Sequence, residues 1–438
     1  MYKNISDDFF LAMRPLLYVS RALGLAPFAY VKKTLPGGTI AVQLGQSAGA
    51  LFYSIFIVVL HFCLLAVSLT FKYLYVFSLM SATDTLTGIL LHTASVTSLI
   101  SLVSSVTKNR KAIFRIMSCI VQTDSFILTS SREYYRKAKN NLILQLLVVF
   151  TFLGLITVYD YIIWNSMHGI INLSYCHIYV GMLIEWIVVI QFMNVVVLLR
   201  DRFSLLNTRL INLSGIFKIE NSKKGFYFTE LQRSCISVKE MKSQLTGKEI
   251  LTFNNIHDNV FDTALLVKCT YEVQIFFSLL STFAGVTIWS YYGLCYLYGY
   301  FGPENAAVSV SRVALSQMMW SLLHVAKLLC ITIPCHSANN KMAHTSTVLR
   351  KLLLAFHGDP GTMRELERFS QHVALRKFKF KAFGFLSLDL SLLVSMMGAV
   401  ATYLVILMQI KVSVSAPPAC SKNVTTYVSD NDVSSTVV

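Results

Sequence analysis

Gln317 and Trp320 stand three residues apart in a largely apolar stretch, with Arg312 before them and His324 and Lys327 after. On a helix such a spacing shares one face, so an amide and an indole would lie side by side. A flat apolar ring beside a hydrogen-bonding group suits a small polar ring. Gln317 as a hydrogen bond between membrane helices is the competing reading. A second constellation lies near the C-terminus, in the apolar run from Gly384 to Ile410. Thr402, Ile406 and Gln409 follow the i, i+4, i+7 rule of one helical face. Glutamine facing lipid is costly, whereas glutamine facing a water-filled path is not. This run is therefore expected to line an ion pathway, with Leu404 to Leu407 supplying a surface that gates by dewetting.

Other polar groups sit in apolar runs. Asp160 and Glu185 would be expensive against lipid; either would pair with Arg312 or hydrogen-bond a ligand. Asp160 lies near an outer end, where water reaches it equally well, and Lys327 is placed to snorkel to the inner headgroups. Aromatic residues crowd the end of the fifth apolar run, including Trp289, Tyr291, Tyr292 and Tyr296. Most read as an interfacial belt; one or two, Tyr292 among them, would line an outward pocket with Trp320. Cys335-His336 has no second pair at metal-ligand spacing. HExxH, GxSxG and P-loop motifs are absent. No catalytic residue, metal site or cofactor is expected, and the chain does not read as an enzyme.

The whole chain must place these groups in a bilayer. Its 438 residues are 55% hydrophobic and 14% charged, against about 25% charged for soluble domains. The composition is that of a polytopic all-α membrane protein. Seven spans are expected, at roughly 46–71, 86–106, 142–164, 176–199, 272–301, 306–333 and 384–410. The second is the weakest, being rich in Ser and Thr. No cleavable signal peptide is expected, because the first apolar run starts far from the N-terminus.

Of the 38 Lys and Arg, 33 fall in the N-terminal segment and the long alternate loops. Lys72, Lys411 and Lys422 fall on the other side. The positive-inside bias then sets a cytoplasmic N-terminus and an extracellular C-terminus. It also accounts for the net charge of +16 without nucleic acid as a partner. The expected organisation is a cytoplasmic segment 1–45, a seven-helix domain 46–410 with cytoplasmic loops 107–141, 200–271 and 334–383, and an extracellular tail 411–438. Asn172 and Asn423 head N-x-S/T sequons on the outer side and are the glycosylation candidates. The nine cysteines are scattered and suggest no disulfide framework.

Thr402-Tyr403, five apolar residues and Gln409 resemble the C-terminal TY-(apolar)5-QF signature of insect gustatory receptors, with Ile410 standing where that signature has an aromatic. Arg21-Ala22-Leu23-Gly24-Leu25-Ala26-Pro27-Phe28 resembles the N-terminal stretch of the branch that holds the internal fructose receptors and, in moths and butterflies, receptors for bitter plant compounds. Gln317 to Trp320, His324, Lys327 to Leu329 and Pro334 to His336 resemble the sixth helix of that branch. The resemblance covers nearly the whole chain. It implies a tastant-gated, non-selective cation channel in the plasma membrane of sensory neurons, assembled as a homotetramer or as a heterotetramer with related receptors. Gln409 would lie at the pore constriction, with Thr402, Tyr403 and Ile406 lining or supporting it. Gln317 and Trp320 match positions that would touch a sugar, polyol or bitter plant compound. Arg312, Glu185 and Tyr292 complete the candidate ligand site. A G-protein-coupled chemoreceptor and a transporter of small polar solutes are the alternatives. The charge distribution speaks against the first, and the second has no internal repeat in its favour.

Overall fold

The computed structural model describes residues 2–34, 40–75, 90, 92–128, 130–168, 176–214, 246–300, 310–356 and 358–415. Among the described residues, ten helices carry the fold. They are α1 (Tyr2–Ala22), α2 (Ala48–Tyr75), α3 (Thr93–Val106), α4 (Asn109–Ile127) and α5 (Ser131–His168), then α6 (Cys176–Ser214), α7 (Gly247–Leu297), α8 (Val310–Ala355), α9 (Pro360–Leu375) and α10 (Leu390–Ser415). The helices α2, α5, α6, α7, α8 and α10 are long and apolar enough to cross a membrane, and α3 is a shorter apolar helix. At 14 residues, α3 reaches about 21 Å, short of the roughly 30 Å hydrocarbon layer. It corresponds to the span expected to be weakest.

Two short hairpins interrupt this helical plan, and the sequence reading did not anticipate them. Strand β1 (Phe28–Thr34) pairs antiparallel with β2 (Ile40–Gln46), register Phe28 to Gln46. Strand β1 is rich in β-branched and aromatic residues, β2 carries Ile40 and Val42, and the two flank Pro36-Gly37-Gly38, a turn signal. A second hairpin joins β3 (Lys381–Ala382) to β4 (Leu386–Ser387). Its tip holds Phe383 and Gly384 at φ 49° and 76°, a conformation that Gly384 adopts without steric cost.

The membrane helices α6, α7 and α8 pack against one another most extensively. Below the bilayer the same helices continue without a break. There α1, α4, the start of α5 and α9 join them around the largest apolar core, built from residues such as Phe9, Ile116, Phe203, Phe261, Leu349 and Phe369. In α1, Ile5, Phe9, Met13 and Leu16 are buried, the i, i+4, i+8, i+11 spacing of an amphipathic helix. A buried ion pair ties α4 to α6. The Arg202 guanidinium donates to both oxygens of Asp124, at 2.8 and 2.6 Å. It also lies 4.7 Å from the Tyr134 ring centroid. Burial raises the hydroxyl pKa of Tyr134 and Tyr135 beside it, which keeps both neutral hydrogen-bond donors.

Helix starts are fixed locally. Thr246 and Glu249 form a reciprocal capping box at the head of α7. Asp359 caps α9 through Thr362 N at 2.9 Å, with Pro360 in the first turn. Helix α10 is the least covered of the long apolar helices. Only 11% of its most apolar stretch is buried, against 67% for α6. It leans on α7 through a Tyr403–Phe283 edge contact at 5.7 Å and a Cys295–Met408 sulfur contact at 3.9 Å.

Candidate functional site

A cavity lies in the outer half of the bundle, between α3, α6, α7 and α8. Thr93 and Ala94 open one wall, Tyr179 and Met182 a second, Ser281, Gly285 and Trp289 a third, and Trp320 and His324 the fourth. The void between atom surfaces is about 340 Å³, of which only about 20 Å³ can hold the centre of a water molecule. In this conformation it is a slot for one or two waters.

Trp320 organises the slot. Its ring stacks with Tyr179 at 5.8 Å and 16° and with Trp289 at 5.6 Å and 23°. Each such pair contributes about 0.5–1.5 kcal/mol beyond its buried area. The stack is anchored from behind by Asp160. Its carboxylate accepts from Tyr179 Oη at 2.6 Å, Ser316 Oγ at 2.5 Å and Trp164 Nε1 at 3.2 Å. Asp160 is therefore buried and fully engaged, rather than wetted at the outer end.

Three side chains at i, i+3, i+7 on α8 present polar atoms to this region. Gln317 Nε2 and His324 Nδ1 have no hydrogen-bond partner among the described residues. Trp320 Nε1 faces Asp160 without closing a hydrogen bond. Buried groups of this type are normally satisfied, so Gln317 Nε2 and His324 Nδ1 mark where a polar ligand or a water would bond.

Two glycines of α7 allow α8 to come this close. A methyl group at Gly285 would meet the His324 ring at 2.4 Å, and one at Gly293 would meet Met318 at 2.6 Å and Gln317 at 3.4 Å. Small residues at membrane helix contacts have this use.

Lys327 and Glu185 form a buried ion pair below the slot. Ser281 and Thr97 face the same carboxylate. This differs from the expectation that Lys327 snorkels and that Glu185 either pairs with Arg312 or hydrogen-bonds a ligand. Arg312 is exposed at the outer end of α8, where its carbonyl accepts from Tyr159 Oη at 3.3 Å. A lysine this deep in the bundle is too far from the inner headgroups, and the carboxylate on α6 is the partner within reach.

Trp320 thus lines the slot, with Gln317 one turn above it and Glu185 one to two turns below. Tyr292 is half-buried against Tyr291 at 5.5 Å, outside the slot lining. Thr402, Tyr403, Ile406 and Gln409 are all exposed on α10. Asn172 and Asn423 lie outside the described residues. Tyr179, Trp289, Gly285 and His324 were missed as site residues. His324 carried a signal, since it stands four residues after Trp320 on the same face. Tyr179 carried none, because its role depends on the fold placing α6 against α8.

The six long apolar helices and the shorter α3 accompany a sequence match. Residues 13–413 match the family model described as 7tm Chemosensory receptor. The chain belongs to this chemosensory receptor family. Among known proteins, it is 31% identical over 93 residues to Gustatory receptor for sugar taste 43a of Drosophila melanogaster. That match spans 21% of this chain and 22% of the relative, so only about a fifth of the relative is covered. The fold of this chemosensory receptor is similar to that of the insect olfactory receptor OR5 from Machilis hrabei. The structure in complex with eugenol has a TM-score of 0.62 at 12% identity, covering 92% of this chain and 98% of that one. A second structure of the same receptor gives 0.61 at 13% identity, covering 91% and 97%.

Proposed function

We propose that this receptor is a subunit of a tastant-gated, non-selective cation channel. A small molecule binds in the slot around Trp320, and the pore is lined by α10. The observation that carries the reading is the slot itself: an aromatic stack beside buried polar atoms of Gln317 and His324 that lack partners among the described residues. Its size adds a mechanism. A ligand larger than water must part α6, α7 and α8 to enter, so it favours whichever conformation has them apart. A ligand shifts an equilibrium only through such a difference in affinity. The exposed face of α10, with Gln409, Ile406, Tyr403 and Thr402, is available to other copies. Four such faces around one axis, in a homotetramer or with related receptors, would enclose a path for ions.

The ligand class is a sugar, a polyol or a bitter plant compound, sensed at the plasma membrane of a sensory neuron. The partial likeness to a sugar-taste receptor and the aromatic stack both suit a small ring. The test is to express the chain alone in a heterologous cell, screen these compounds and record currents without added G protein. Ligand-evoked single-channel openings are expected. Responses that require a supplied G protein, with no single channels, overturn the reading, as does net uptake of labelled ligand without current.

A further inference from the structure

The stretch from Arg376 to Phe385 alternates at the cytoplasmic edge of the membrane. Phe380 and Ala382 are buried, Phe378 is half-buried, Lys377 and Lys379 are exposed and Lys381 is half-exposed. The phenylalanines hold the segment in place. Phe380 packs edge-on against Phe192 at 6.2 Å and against Phe378 at 4.9 Å, and Phe378 against Phe261 at 5.8 Å. The hairpin tip that follows leaves Phe383 47% and Phe385 71% exposed, each with one ring contact to Phe276.

Between this hairpin and α7 lies a second, narrow groove of about 210 Å³ counted with the solvent at its mouth, of which only about 10 Å³ can hold the centre of a water molecule. Lys268, Tyr271 and Glu272 of α7 form one side, and Phe380, Lys381 and Ala382 the other. Among the described residues, Lys268, Lys377, Lys379 and Lys381 make no ion pair within 4 Å. Lys379 is felt by Asp389 only at longer range. Lys108 adds a further cation here, donating to the Cys269 carbonyl at 3.2 Å. The depth is that of lipid headgroups. Lys268 lies just below the apolar part of α7, and α10 begins at Leu390, immediately beyond the hairpin.

We propose that the phosphorylated headgroup of an inositol phospholipid of the inner leaflet lies across the mouth of this groove, on its basic rim. Lys268 and Lys381 hold the phosphate, Lys377 and Lys379 raise the local positive field, and Phe383 and Phe385 sit at the acyl boundary. Basic clusters beside a membrane recognise anionic lipid in this way, and aromatic residues favour the interface. Glu272 disfavours a bare phosphate, but it accepts a hydrogen bond from a ring hydroxyl, which selects a headgroup with both. A second copy of the chain offers less complementarity, since its own cytoplasmic segments are strongly basic. The lipid would bridge α7 to the root of α10, so any effect on opening rests on the channel reading, whereas the binding does not.

The test uses purified full-length receptor and a fluorescent phosphatidylinositol bisphosphate in phosphatidylcholine vesicles, with inositol trisphosphate and inorganic phosphate as competitors. Lys268→Gln with Lys381→Gln should weaken lipid binding at least about tenfold, as two lysines near an anionic surface imply. Replacing both by Arg should keep it. Phe383→Ser with Phe385→Ser should weaken binding of the lipid but not of inositol trisphosphate. If the Gln pair fails to fold, the exposed pair Lys377→Gln and Lys379→Gln is read instead, with a smaller loss expected. Wild-type affinity in the Gln variants overturns the proposal. So does inorganic phosphate binding as tightly as the lipid. A change in assembly size at unchanged lipid affinity also overturns it, and assigns this face to contact between subunits.

Discussion

Lys327 of α8 and Glu185 of α6 neutralise each other inside the bundle, with side chains 1% and 0% exposed. Removing one partner leaves the other charge buried and uncompensated, which costs about 3–5 kcal/mol. Lys327→Met alone is therefore expected to lower the melting temperature and the surface expression sharply. Replacing the pair together, Glu185→Leu with Lys327→Met, should recover most of the loss, because an apolar pair of similar volume is often as stable. Thermal unfolding of the purified receptor measures both. A single variant as stable as the parent would show that the pair is not closed in the native bundle.

Gly285 sets the distance between α7 and α8 at the slot. A methyl group there collides with the His324 ring at 2.4 Å, and the neighbour is a planar ring with little room to yield. Gly285→Ala is expected to cost about 1–3 kcal/mol by overpacking. It should also move the half-maximal ligand concentration upward by about tenfold or more, about 1.4 kcal/mol or more. Adding His324→Ala should relieve the stability loss but not the ligand defect, if His324 itself bonds the ligand. Concentration–response curves and thermal unfolding separate the two.

Gln409 is exposed on α10, so Gln409→Ala should change stability by no more than about 0.5 kcal/mol. Its expected effect is instead on permeation, as an altered basal current or a shifted reversal potential under bi-ionic conditions. Unchanged currents would mean that Gln409 does not face the pore.

His257 gives the cytoplasmic core a pH dependence. Burial pushes its imidazole down from 6.5 to about 4, against the opposing pull of Asp258. The groups facing it are Asp258 at 3.6 Å, His372 of α9 and Arg376 just beyond it, and the rings of Phe203, Phe261 and Phe369. The unfolded chain takes up the proton first, so stability is full above pH 6.5 and drains away as the pH falls toward about 4. The melting temperature should therefore fall between about pH 7 and pH 5. His257→Phe, apolar among apolar rings, should flatten that slope. An equal slope in the variant would assign the dependence to other groups.

Much of the architecture was legible because hydropathy and loop charge are properties of the chain alone. The weak second span was visible as a Ser/Thr-rich run, and α3 is indeed the short helix. Trp320 and Gln317 were visible by their spacing on one helix. What was not legible depends on pairs distant in sequence. The partner of Lys327 lies on α6, 142 residues away, and the stack on Trp320 draws Tyr179 from one helix and Trp289 from another. Trp289 reads as belt aromatic in sequence, and only the approach of α8 turns it inward. The second hairpin was hidden for another reason. Between Lys381 and Ser387 only two residue pairs bond, too few for a periodic signal.

Helix α7 runs for 51 residues, about 75 Å at 1.5 Å per residue, more than twice the hydrocarbon thickness of roughly 30 Å. No proline interrupts it. Trp289 touches the slot at one end, Lys268 the lipid groove partway down, and His257 the cytoplasmic core near the other end. Such a rod is a lever: a one-degree tilt moves its far end by about 1 Å relative to the near end. A fluorophore attached beside Thr246, remote from ligand and lipid alike, would therefore read from the cytosol a displacement that begins outside the cell.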